Sequence, residues 1–185
     1  MQCDGKQHDH SPKFHRKKKH KTVIDPITIC QWYLEKQCEI SRRNLNFDCK
    51  ESEFSLDYVQ DMPLFDFLRR CHDHFECDDD GFDMFYAVYL IENLVHAKKT
   101  DIKKIVVTEM NVMNIFGVAL QISCKLQNST HIPNKYAALV TGIDTESFNE
   151  FEVVFLFSSS FDFDANLDAF YLFKSFLIDY YINKT

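Results

Sequence analysis

Four glycines and four prolines in 185 residues leave this chain too few tight turns for a sandwich of many short strands. With 18 phenylalanines to bury, it is suited to long regular elements packed on one another. Apolar residues make up 45% of the sequence, enough for one domain of ordinary size plus a tail. An all-α fold is therefore expected.

Charge narrows the partners. Residues 1–50 carry 11 Lys/Arg and 6 Asp/Glu, whereas residues 51–185 carry 10 and 22. An acidic body is a poor match for nucleic acid, whose binding rests on phosphate neutralisation and counterion release, so a protein partner is expected. No apolar run approaches the ~20 residues needed to span a bilayer. The first residues are polar and basic where a secretory signal needs an apolar centre. A soluble intracellular protein, nuclear or cytoplasmic, is expected, with no membrane partner. Seven cysteines scattered from Cys3 to Cys124 read as reduced thiols.

Residues 1–21, rich in His and Lys with almost nothing apolar, are expected to be a disordered tail. The run from His15 to Lys21 resembles a nuclear-localisation patch. Residues 22–61 should hold one short helix and an irregular connection from about residue 41. Asp25 and Pro26 start that helix, and Ile27, Cys30, Trp32, Leu34 and Cys38 line it. The organised part is residues 62–163. Leu64, Phe67, Leu68, Cys71 and Phe75 recur at helical spacing, and the acidic turn Asp78, Asp79, Asp80, Gly81 closes that helix. Phe82, Phe85, Val88, Tyr89 and Val95 form the second stripe. A third helix is predicted from Thr108 through Val112, Ile115, Phe116, Ala119, Ile122 and Leu126. Gly117, Ala119 and Ser123 let neighbours approach it closely, which makes it the expected hub. Asn134 should cap a fourth helix that Gly142 ends, and Asp144 should start a fifth to about Phe157. Residues 164–185 should form a last helix, from Leu167 to Ile182. Ile105 to Val107 is strand-like but too short to make a sheet. Glu92 falls on the second stripe where leucine is expected; a buried carboxylate needs a partner, and Arg70 on the preceding helix is the one on offer.

Three motifs then coincide. Asn-Val-x-x-Ile-Phe at Asn111–Phe116, with Lys125 further on, resembles the third-helix pattern of the P/U-type (phosphate-pathway) cyclins. Asn134 to Ile143 is similar to their fourth helix and the turn behind it, and Phe148 to Glu152, followed by Phe155 and Leu156, to their fifth. The resemblance covers residues 62–163 and implies a cyclin box: five helices around a central third, with flanking N- and C-terminal helices. It implies a regulatory subunit without catalytic chemistry or cofactor, which binds a cyclin-dependent protein kinase and holds that kinase's mobile helix inward. Lys125 and Glu152 match the kinase-binding lysine and glutamate, with Phe148 and Phe155 as apolar contacts beside them; Arg70 and Glu92 match an internal ion pair. Without the resemblance, Glu152 reads most simply as a rim carboxylate satisfied by water or by a lysine of its own chain. The chain departs from the branch at Met113, Asn114, Asn93, Gln127, Asn128 and Thr141, none of which is a lysine or glutamate of the docking pair. The apolar first-helix motif by which cell-cycle cyclins recruit substrates is missing.

Other chemistries fit poorly. Cys71, His72, His74 and Cys77 have metal-ligand types, but on a helix they spread around the axis, so no metal site is expected. Asp78, Asp80 and Gly81 echo a calcium loop, but counting from Glu76 places Ala87 where a bidentate glutamate is required. Phosphate-cradling glycine loops, nucleophile elbows and two-histidine zinc helices are missing from the sequence.

Overall fold

Helix signals run through nearly the whole body of the chain, and the protein folds accordingly. The structure is a computed structural model that describes residues 25–44, 54–56, 60–96, 105–127, 132–161, 163 and 166–184. Its helices are α1 (Pro26–Asn44), α2 (Leu64–His74), α3 (Phe82–Val95), α4 (Val112–Gln127), α5 (Asn134–Thr141), α6 (Thr145–Ser158) and α7 (Leu167–Ile182). Strands are absent among the described residues, and Ile105 and Val107 are buried on chain that is neither helix nor strand. The basic run from His15 to Lys21 lies outside the described residues.

The hub is α4, which packs against α2, α3, α5 and α6. Every residue from Asn114 to Cys124 is buried, the mark of a helix surrounded on all sides. Three of its polar side chains donate to backbone carbonyls. Asn114 Nδ2 donates to the Phe54 carbonyl at 2.8 Å, Ser123 Oγ to the Asp83 carbonyl at 3.1 Å, and Gln121 Nε2 to the Ile132 carbonyl at 2.6 Å. The helix starts at Val112 rather than at Thr108, because Asn111 does the local work: its Oδ1 accepts from the Thr108 N–H at 2.8 Å and its Nδ2 donates to the Val106 carbonyl at 2.9 Å.

At Gly117 α5 packs tightly against the hub. A Cβ at this position would lie 2.5 Å from Thr141 Cγ2. Thr141 has little room to turn away, since its Oγ1 donates to the carbonyls of Ala137 and Ala138 at 2.9 and 3.2 Å. Gly117→Ala therefore overpacks the contact at about 1–3 kcal/mol, against the ~1 kcal/mol by which alanine favours a helix over glycine. A fall of a few degrees in melting temperature is expected; an unchanged or raised value would show that α5 retreats freely.

The N-terminal helix is longer than its sequence face suggested and more central. Asp25 caps it, accepting from the N–H groups of Ile27 and Thr28 at 3.2 and 3.3 Å. It packs against α2, α3 and α7. Pro26 at its start rests on Gly81, whose φ of +67° and missing side chain allow the approach: a Cβ there would lie 2.2 Å from Pro26 Cβ. The C-terminal helix covers α3 with an aromatic cluster in which the Phe170 ring lies 5.0 to 5.7 Å from those of Phe82, Tyr86 and Tyr89. All five described cysteines are buried free thiols.

Candidate functional site

The C-terminal end of α4, the start of α5 and the middle of α6 meet at one edge of the bundle. Two local signals set α6 against α4. Gly142, with φ of +74°, ends α5 and reverses the chain, and Asp144 then caps α6 by accepting from the Ser147 N–H at 2.9 Å. On α6 the residues Phe148, Phe151, Phe155 and Ser158 form the inward stripe. Glu152 lies at the edge of that stripe, which places its carboxylate at the rim.

There Lys125 Nζ reaches Glu152 Oε1 at 2.5 Å. Their side chains are 28% and 13% exposed, so the pair is largely desolvated yet open to solvent on one side. Asn134, the first residue of α5, lies between the two. Lys125 Nζ donates to its Oδ1 at 2.7 Å, while its Nδ2 donates to Glu152 Oε2 at 2.7 Å and to Asn149 Oδ1 at 2.8 Å. Gln121 Nε2 also reaches the same Oδ1 at 3.3 Å. Asn134 was expected to cap α5, but Pro133 holds the cap position and the asparagine side chain is turned to the Lys–Glu pair instead. Its helix-start pattern was visible in the sequence; its contacts across 9 and 18 residues were not.

Phe148 and Phe155 are not surface contacts. Both are fully buried, and the Phe155 ring lies 6.4 Å from that of Phe54. The sequence placed them beside Glu152 correctly, but the side they share faces the hub. The apolar residues that do face solvent on α6 are Val153 and Phe157, 50% and 64% exposed, with Phe161 just beyond and its ring 5.3 Å from that of Phe157. Once Phe148, Phe151 and Phe155 are placed inward, the helical period turns Val153 and Phe157 away from the hub.

The expected internal pair of Arg70 and Glu92 is also corrected. Glu92 Oε2 accepts a short hydrogen bond from the Tyr33 hydroxyl and a longer one, 3.5 Å, from Gln37, both on α1; its Oε1 lies 3.3 Å from His96 Nε2. Arg70 lies over the Phe67 ring at 5.9 Å and beside the turn at Gly142, and its buried Nε has no hydrogen-bond partner among the described residues. The cause is α1, which packs against both α2 and α3 and supplies the donors that Glu92 needs. Burial first, then the Glu92 carboxylate, pushes the Tyr33 phenol far above its ordinary range, so it stays a neutral donor. Tyr33→Phe is expected to cost about 1 kcal/mol, read as a lower urea midpoint, the effect being limited by the partial exposure of Glu92. An unmoved midpoint would show that Gln37 and His96 suffice.

Cys71, His72 and His74 of α2 and Cys77 beyond it do not come together as a group that could hold a metal ion. Cys71 and Cys77 are buried, His72 Nδ1 lies 3.2 Å from Asp73, and His74 Nδ1 lies 3.3 Å from the Tyr136 hydroxyl.

Among known proteins, the family model described as Cyclin matches residues 9–163. No curated protein matches the chain in sequence. No helix among the described residues is long and apolar enough to cross a membrane. The family match spans most of the sequence and encloses α1 to α6, the hub and the Lys–Glu edge described above: the chain belongs to the cyclin family.

Proposed function

We propose that the protein is the regulatory subunit of a cyclin-dependent protein kinase, of the P/U-type branch, and that the edge formed by α4, α5 and α6 is its docking surface. One observation carries this reading: Lys125 and Glu152 are held together at the rim, with the exposed apolar residues Val153 and Phe157 on the outer face of the same helix. A charged pair beside exposed aromatics has the anatomy of an interface anchor, in which polar groups fix the register and apolar area is buried around them. The groups presented suit hydrogen bonds to backbone beside the kinase's mobile helix. Holding that helix inward completes the lysine–glutamate pair that phosphoryl transfer requires. The protein itself contributes no reacting group.

The test is purification of the tagged chain from its own cells, followed by assay of the eluate on a generic substrate peptide. A co-purifying kinase whose activity rises when more of the chain is added is the expected result. A bound protein without kinase activity would instead make this cyclin fold a scaffold.

A further inference from the structure

Asn134 makes four side-chain hydrogen bonds, which is the full capacity of an amide: two lone pairs on oxygen and two N–H groups. Its oxygen faces the Lys125 ammonium and the Gln121 amide, and its nitrogen faces the Glu152 carboxylate and Asn149. Exchanging the two ends would set NH2 against an ammonium and oxygen against a carboxylate, so the neighbours allow one orientation only. The four partners lie on α4 and α6, while Asn134 itself opens α5. The amide therefore joins three helices at the point where the two charges meet.

We propose that Asn134 is the positioning residue of the docking pair, a neutral bracket that fixes Lys125 and Glu152 in one geometry before a partner arrives. Lysine and glutamate are among the side chains that lose most rotamer freedom on being ordered. Here both side chains already hold one bonded geometry without a partner, and preorganisation of this kind raises affinity without adding a contact to the partner. With one ammonium proton directed at Glu152 and another at Asn134, a third remains for a partner, together with the outer lone pairs of the carboxylate. The consequence for binding rests on the docking reading above; the bracket itself does not.

The first arm of the test needs no partner. Acetic anhydride labelling of the free chain, read by mass spectrometry, compares Lys125 with the exposed Lys135. Asn134→Ala is expected to raise the labelling rate of Lys125 several-fold relative to Lys135, with the circular dichroism spectrum unchanged; an unmoved rate overturns the bracket. The second arm measures affinity for the kinase that co-purifies with the native chain. Asn134→Ala is expected to weaken binding about tenfold. Asn134→Asp should weaken it further at pH 7.5, because a second carboxylate then faces Glu152 where a donor stood. At pH 5.5 that variant should recover toward the native chain measured alongside, as one of the two opposed carboxyls takes a proton and donates again, a rescue that a merely structural role would not produce. Lys125 and Glu152 are the charged groups bonded to this position, from α4 and α6. If Lys125→Ala and Glu152→Ala keep the kinase while Asn134→Ala exposes Lys125, the bracket stands and the docking reading falls. If those two lose the kinase while both Asn134 variants bind like the native chain, the positioning role falls.

Discussion

Replacing Lys125 or Glu152 with alanine is expected to weaken kinase binding by about 2–5 kcal/mol, which is roughly thirty- to several-thousand-fold. The reason is the burial that docking adds. In the free chain the pair, 28% and 13% exposed, keeps one side open to water, so water and the Asn134 amide can compensate a missing member. Once a partner covers the rim, water no longer compensates a missing member. Among the described residues, Lys125→Ala leaves the Glu152 carboxylate with the Asn134 amide as its remaining side-chain donor, and Glu152→Ala leaves the ammonium facing Asn134. An uncompensated charge at a desolvated interface is strongly unfavourable. Far-ultraviolet circular dichroism and the melting temperature should barely move, because α4 and α6 are held by the buried stripe of phenylalanines rather than by this contact. Equal kinase affinity for the native chain and both variants would remove the docking edge from α4–α6.

The second large effect separates the two faces of α6. Phe155→Ala should destabilise the fold by about 3–5 kcal/mol, since it empties a site beside Phe54 and the hub that has no access to solvent. That is a large share of the 5–15 kcal/mol that typically holds a domain together, so the melting temperature should fall by roughly 10 °C. Phe157→Ala, two residues on, should leave stability within about 0.5 kcal/mol because its ring is 64% exposed. Its cost should appear in the kinase affinity instead. Thermal melting and a binding titration on the same two proteins measure both quantities. The reverse outcome, a stable Phe155 variant that no longer binds and an unstable Phe157 variant, would return the interface to the face that the structure turns inward.

The two faces also show how far sequence reasoning reaches. Helical spacing identified α2, α3, α6 and α7 closely, and the start and stop signals were local and chemical: the acidic turn before Gly81, the left-handed Gly142, the Asp144 cap. Small residues at Gly117, Ala119 and Ser123 marked α4 as the hub, and the structure surrounds that helix on every side. The start of α4 was missed by four residues because Thr108 has the composition of a cap while Asn111, three positions on, supplies the geometry.

By itself the sequence determined the helices, their order and the hub, which are set by periodicity and turn chemistry within a few residues of each position. The meeting of Lys125 and Glu152 at the rim followed from the resemblance to the cyclins, since no local period pairs residues 27 positions apart. Only the tertiary structure decided which side of α6 is inside, that Tyr33 rather than Arg70 satisfies Glu92, and that Asn134 bonds Lys125 and Glu152 instead of capping its own helix. Each of those outcomes depends on which helix lies opposite. Tyr33 and Glu92 are 59 residues apart, and no local pattern records that α1 packs against both α2 and α3. A period shows that a helix has faces; packing against its neighbours selects the one that is buried.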